Sequence, residues 1–202
     1  LAGQLVDLLA HHPISHLSSP AVSGIEDDDI TAVDFGELGR LLREAEAAGT
    51  IDPGEEHGLL APEIWWETDP PERNGVSQAR QARYTALAIY LLWRQGAEGV
   101  YFLQMRDAKR VRGEPGLNSY QTGIYTYRDR RKPAHDAVRF PLVLDRLDRD
   151  RVLAWARAPR AGRMRIELKP RGGEWRRVEG ARVARGEIVT EELRLRGRAR
   201  AR

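Results

Sequence analysis

Pro62-Glu63-Ile64-Trp65-Trp66-Glu67-Thr68-Asp69-Pro70-Pro71 closes an apolar segment on a carboxylate, adds two indoles and then breaks the chain with a double proline. A short apolar run bounded by such breakers reads as a buried strand ending in a loop. An acid at a strand end can attack or stabilise an electron-poor carbon, and indole faces can stack on flat ligands. The alternative is a surface loop in which the Trp side chains pack back on the core and the Glu is solvated. The run alone leaves both readings open.

Working outward, Leu5-Val6-Asp7-Leu8-Leu9-Ala10 reads as a first buried strand ending at His11-His12-Pro13. Residues 14–32 are loop-like. From Val33 to Ala48 the apolar positions Leu38, Leu41, Leu42, Ala45 and Ala48 predict an amphipathic helix closed by Gly49. Leu59-Leu60-Ala61 leads into the Glu63 strand. Ser77 caps a helix to about Gln95, with a stripe of Ala79, Ala82, Ala86, Ile89 and Trp93 and a stop at Gly96. Gly99–Met105 is a third strand, and a short helix follows near Ala134–Val138. Strand, helix, strand, helix, strand at this spacing, with strands apolar throughout rather than alternating, predicts βαβ units and a parallel sheet.

The chain changes character after Phe140-Pro141. Residues 151–157, 164–169, 175–179, 187–190 and 193–198 are short, β-leaning and separated by Gly turns, which predicts a small antiparallel module. Charge divides similarly: residues 141–202 hold 18 Arg/Lys against 9 Asp/Glu, and residues 1–140 hold 15 against 21. The sequence pI of about 9.4 raises nucleic-acid binding. However, only Lys109, Lys132 and Lys169 are lysines, an Arg bias that GC-rich coding produces without selection for a polyanion. A solvated basic tail is the preferred reading, so no nucleic-acid partner is expected. The 202 residues contain no cysteine and no apolar run of the ~20 residues that a membrane span needs. The chain begins at Leu1 and no signal-peptide segment precedes it, so it is expected to be a piece of a longer protein.

The order of motifs resembles a known family. Glu63, Trp66 and Thr68-Asp69-Pro70-Pro71, followed by Gly75-Val76-Ser77-Gln78-Ala79-Arg80-Gln81-Ala82, are similar to the seventh βα unit of bacterial clan A (β/α)₈ glycoside hydrolases. Leu91–Gly96, Gln104-Met105-Arg106-Asp107, Lys132-Pro133-Ala134 and Arg139-Phe140-Pro141 continue the likeness in order, and His11–Ser15 looks like the end of the sixth strand. The resemblance implies an α/β fold: a partial (β/α)₈ TIM barrel of about strands six to eight over residues 1–141, then a small antiparallel β-sheet domain, β-sandwich-like, over residues 142–202.

It further implies retaining hydrolysis of a carbohydrate, with Glu63 as catalytic nucleophile and His12, Trp65, Trp66, Phe102, Gln104 and Asp107 as substrate-binding or rim residues. The carboxyl that would serve as acid/base belongs to a fourth strand absent from these residues, so the chain would be an inactive fragment that needs the remaining N-terminal half of the barrel. A retaining mechanism requires two carboxyl groups about 5–5.5 Å apart. No cofactor is implied, and an extracellular or cell-surface location is. Ile14 and Pro62 depart from the family pattern, which keeps open a non-catalytic carbohydrate-binding or scaffold protein on the same fold.

Glu67, four residues after Glu63, reads as a loop acid. Glu26-Asp27-Asp28-Asp29 lacks the alternation of a calcium loop, and His11 and His12 have no third ligand at zinc spacing. Trp93, Trp155 and Trp175 are assigned to core packing.

Overall fold

The computed structural model describes residues 7–15, 17–24, 26, 28–51, 57–110, 119–170, 172–194 and 199–201. Leu5, Val6, Asp27 and residues 195–198 of the expected elements lie outside them. The described residues form a mixed α/β protein of three helices and four small sheets. They divide into two compact units, Leu1–His135 and Asp136–Arg202, the division falling inside the third helix.

In the first unit, β1 (Leu8–Ala10), β2 (Gly58–Ile64) and β5 (Ala97–Phe102) form a parallel sheet with β2 in the middle. Leu9 lies opposite Leu59, and Ala61 opposite Val100. The three parallel strands follow the expected order, but they make an open three-stranded sheet and no barrel closes among the described residues. Helices α1 (Gly36–Ala47) and α2 (Gln78–Arg94) connect them. One core gathers Phe35, Leu38 and Leu42 of the α1 region, Leu59, Ala61 and Ile64 of β2, Trp66, and Ala88 and Leu92 of α2.

Pro62 breaks the parallel ladder in an orderly way. Ala61 pairs with Val100 and Ile64 with Phe102, so two residues of β2, Pro62 and Glu63, stand against the single Tyr101 of β5. Proline cannot donate to a ladder and is confined to edges or bulges. The bulge therefore lets Pro62 occupy a central strand, and bulges re-aim the side chains beside them.

Helix α2 begins as expected. The Arg80 amide donates to the Ser77 hydroxyl at 3.2 Å, and Gly96 ends the helix at φ +89°, a left-handed conformation glycine adopts without strain. Its buried face differs from the apolar stripe. Gln81, Thr85, Ala86, Ala88, Tyr90, Leu91 and Leu92 are buried, whereas Trp93 is 40% exposed. The helix is turned by a polar anchor: the Gln81 side-chain amide donates to the carbonyls of Trp66 at 3.0 Å and Thr122 at 3.1 Å. Leu41 of α1 is likewise exposed, leaving Leu38 and Leu42 as the inward residues. A two-residue parallel pair, β3 (Thr68–Asp69) with β4 (Val76–Ser77), is not evident from the periodicity. Helix α3 covers Pro133–Arg139.

The second unit holds two three-stranded antiparallel sheets. One has the order β10 (Ile188–Arg194), β7 (Arg151–Arg157), β6 (Leu142–Arg146); the other has β11 (Ala199–Ala201), β8 (Gly162–Pro170), β9 (Arg176–Val183). Val152, Ala154 and Leu193 of the first sheet share a core with Ile166 and Leu168 of the second. Strand β6 was not expected from the sequence, and the expected run at 187–190 extends to Arg194 as one strand. Trp155 is fully buried, as core packing requires. No helix among the described residues is long and apolar enough to cross a membrane.

Removing the α2 cap with Ser77→Ala should cost about 1 kcal/mol of folding stability. Chemical denaturation should show a lower midpoint with an unchanged slope.

Candidate active site around Glu63

Glu63 follows Pro62 in the bulge at the carboxyl end of the central strand, with its side chain 28% exposed. The Trp65 indole donates to Glu63 Oε1 at 3.0 Å. Glu63 Oε2 lies 3.9 Å from His12 Nδ1, beyond hydrogen-bond reach but close enough for electrostatic attraction whenever the ring is protonated. His12 lies just past β1, where the His11 amide donates to the Leu60 carbonyl at 3.0 Å and prolongs the pairing. The Trp65 ring stacks on Tyr120, with centroids 5.6 Å apart and planes 25° from parallel. One carboxylate oxygen is thus fixed by an indole, the other faces a histidine, and a two-ring wall stands alongside.

Of the residues expected at the site, His12 and Trp65 meet Glu63. Trp66 does not line a cleft. It is 1% exposed, its indole donates to the Ser18 carbonyl at 3.0 Å, and its ring meets Tyr84 edge-on. Adjacent residues of an extended chain point to opposite sides, so only one of the two indoles can face outward. Phe102, the register partner of Ile64, is half-buried and packs against the core. Gln104 accepts a hydrogen bond from the Thr122 hydroxyl at 3.0 Å.

Asp107 also departs from its expected place at the rim. It is 6% exposed and lies 3.0 Å from the fully buried Lys132 ammonium. Lys132 Nζ donates in addition to Thr68 Oγ1 at 3.0 Å and to the Gln121 carbonyl at 3.1 Å, while the Gly123 amide donates to Asp107 Oδ1 at 2.8 Å. Burial pushes the Asp107 carboxyl up and the Lys132 ammonium down from their ordinary values, against the pull of each on the other. At Gly123 a Cβ would come within 2.5 Å of the Asp107 amide nitrogen, so no larger residue lets these two segments touch.

This network carries the aromatic wall. Gln121, held by Lys132, adjoins Tyr120, whose carbonyl accepts from the Ala108 amide at 2.9 Å. Composition and periodicity pointed neither to Tyr120 nor to the role of Lys132. Lys132 was marked in the sequence by being a lysine in an arginine-dominated chain and by its place in the Lys132-Pro133-Ala134 motif, neither of which shows its buried partners.

Glu67 is half-buried, and its Oε1 receives the Gln121 amide at 3.4 Å. Burial holds its carboxyl above the ordinary value of 4.5, partly offset by that hydrogen bond, with nearby Glu72 adding to the rise. Among the described residues, no group of three or more His, Cys, Asp or Glu side chains could hold a metal ion.

Two outcomes follow from these groups. Asp107→Asn and Lys132→Met should each cost about 3–5 kcal/mol, since each leaves a buried charge unpaired. The double variant should lose less than the sum of the two, as measured by a denaturation cycle. A carboxyl raised in the folded state destabilises the protein at neutral pH and ceases to do so as pH falls through its folded pKa. Glu67→Gln should therefore melt above the parent chain at pH 7, and the gain should disappear near pH 4.5 and below.

No protein-family model matches the chain, and no curated protein matches it. Among solved structures, it is similar to a GH39 β-xylosidase from Caulobacter crescentus, with 13% identity and a TM-score of 0.40 over 96% of this chain and 50% of that one. It is also similar to Bacteroides uniformis β-glucuronidase 2 covalently bound to cyclophellitol-6-carboxylate aziridine, with 11% identity and a TM-score of 0.35 over 84% and 24%. A Bacteroides uniformis β-glucuronidase gives 13% and 0.38 over 82% and 24%. The chain spans about a quarter to a half of the length of these glycosidases. At these scores the likeness carries no argument, and the functional reading stands on the chain's own sequence and geometry.

Proposed function

We propose that this chain is the C-terminal part of a retaining glycoside hydrolase, with Glu63 as nucleophile. The observation that carries the reading is the Glu63 carboxylate at the bulged end of a central parallel strand, hydrogen-bonded by Trp65 and facing His12. A carboxylate so held attacks the anomeric carbon through the oxygen not engaged by the indole. A glycosyl ester forms, the C–O bond to the leaving group breaks, and water later hydrolyses the ester. The exposed faces of Trp65 and Tyr120 would flank the sugar. The leaving oxygen must receive a proton from a second carboxyl about 5–5.5 Å from Glu63; that group, and the strands that complete the barrel, come from the rest of the protein. The sugar-handling chemistry is assigned to the cell exterior or surface.

A panel of mechanism-based 2-fluoroglycosides incubated with the full-length protein, followed by peptide mass spectrometry, tests this assignment. The expected result is one glycosyl adduct on the peptide containing Glu63, absent in Glu63→Gln. Binding of the sugars without any adduct would instead establish the non-catalytic carbohydrate-binding reading, which the departures at Ile14 and Pro62 favour.

A further inference from the structure

Trp65 and Trp66 place their indole N–H groups differently. Trp66, in the core, donates to the Ser18 backbone carbonyl, as a buried indole does to satisfy its donor. Trp65 is half-buried and donates to a side-chain carboxylate that solvent also reaches, Glu63 Oε1 at 3.0 Å. Glu63 and Trp65 stand on either side of Ile64, which faces the core, so alternation along the extended chain puts both on the opposite face. An indole N–H only donates. It is fixed on one oxygen of the carboxylate, and Oε2 is left toward His12.

The indole is itself held. Its ring stacks on Tyr120 with centroids 5.6 Å apart. The Tyr120 segment is tied by its backbone: the Tyr120 carbonyl accepts the Ala108 amide at 2.9 Å, and the Gln121 carbonyl accepts the Thr68 amide at 3.2 Å. The Gln121 side-chain amide adds bonds to the Ala108 and Ser119 carbonyls at 3.0 and 2.7 Å. A ring anchored in this way restricts rotation of the indole, so the N–H stays on Oε1 while the carboxyl changes its bonding.

A hydrogen bond to a carboxylate is roughly twice as strong as one to a neutral acceptor such as an ester carbonyl. On the reading of Glu63 as a glycosidase nucleophile, on which this inference rests, the two chemical steps use that difference in opposite senses. In the first, Oε2 bonds to the anomeric carbon, the leaving group departs, and the charge on Glu63 is consumed. In the second, water adds to the anomeric carbon, the C–Oε2 bond breaks and its electron pair returns to Glu63. The water proton passes to the second carboxyl, supplied by the rest of the protein. Charge then develops on the Glu63 carboxylate, and Oε1 shares it beside a donor already in place.

We infer that Trp65 is a positioning residue for the second step: its indole N–H, locked by the Tyr120 stack, stabilises the Glu63 carboxylate as it is expelled from the glycosyl ester. In the first step the same donor orients Glu63 but stabilises charge that has to be given up, and the two effects oppose. Removing the donor therefore acts unequally on the two steps.

The test uses the full-length protein and 2-fluoroglycosides of glucose, galactose, mannose and xylose. Intact-protein mass spectrometry reads the rate of Glu63 labelling and the rate of loss of the label separately. Trp65→Phe keeps a ring against Tyr120 and removes the donor. It should slow loss of the label about ten-fold or more and change the labelling rate by less than about three-fold. Benzothienylalanine at position 65, with sulfur in place of the N–H in the same ring outline, should do the same, and it serves where Phe unsettles the fold. Tyr120→Ala should slow loss of the label in the same direction. Tyr120→Phe, which keeps the stacking ring, should keep the parental ratio of the two rates.

Loss of the label at the parental rate in the two position-65 variants, or equal slowing of both steps, overturns the inference and leaves Glu63 as nucleophile. Absence of any label on Glu63 in the parent protein overturns the glycosidase reading and this inference together.

Discussion

The Lys132 ammonium fastens the loops around the carboxyl ends of the parallel strands. Three chain segments reach it: Thr68 after β2, Asp107 after β5, and Gln121 from the segment between them and α3. A fully buried cation is tolerated only where its protons find acceptors, and here a carboxylate, a hydroxyl and a carbonyl receive them. Asp107 passes the constraint on by accepting the Gly123 amide. Gln81 extends it to α2 by bonding the carbonyls of Trp66 and Thr122. A polar cluster thus sets the position of a helix whose apolar residues alone would leave several rotations open.

The Glu63 carboxylate depends on this frame at one remove. Gln121 sits beside Tyr120, Tyr120 stacks on Trp65, and Trp65 donates to Glu63. The strand contributes the other half through the bulge at Pro62, which takes two residues of β2 out of regular pairing. A proline that reads as a departure from the family pattern is accommodated by local geometry rather than by loss of the sheet. The same stereochemistry divides the paired tryptophans, sending Trp66 into the core while Trp65 stays half-buried beside Glu63.

The C-terminal unit is held by a smaller apolar core, with alternating residues of β7 and β8 facing each other. Its outward positions are mostly charged. Where carboxylates are near, as at Arg151, the charge is absorbed internally.

Sequence by itself determined the elements governed by near neighbours: the Ser77 cap, the Gly96 stop, the apolar strands around Leu59 and Val100, the Gly-separated strands of the tail, and Glu63 at a strand end beside Trp65. Periodicity and capping act over a few residues, so they are legible one residue at a time. Tertiary structure decided what depends on distant partners. Asp107 looked like a rim acid until Lys132, 25 positions later, was brought beside it. The inward face of α2 was set by Gln81 reaching carbonyls up to 42 residues away, and Tyr120 joined the site only through that folding. A compact ammonium fits such a pocket where a planar guanidinium would leave donors unmatched, which explains a lysine in an arginine-rich chain. Whether a buried polar group is a ligand or a structural tie is settled by who desolvates it, and sequence separation hides that partner.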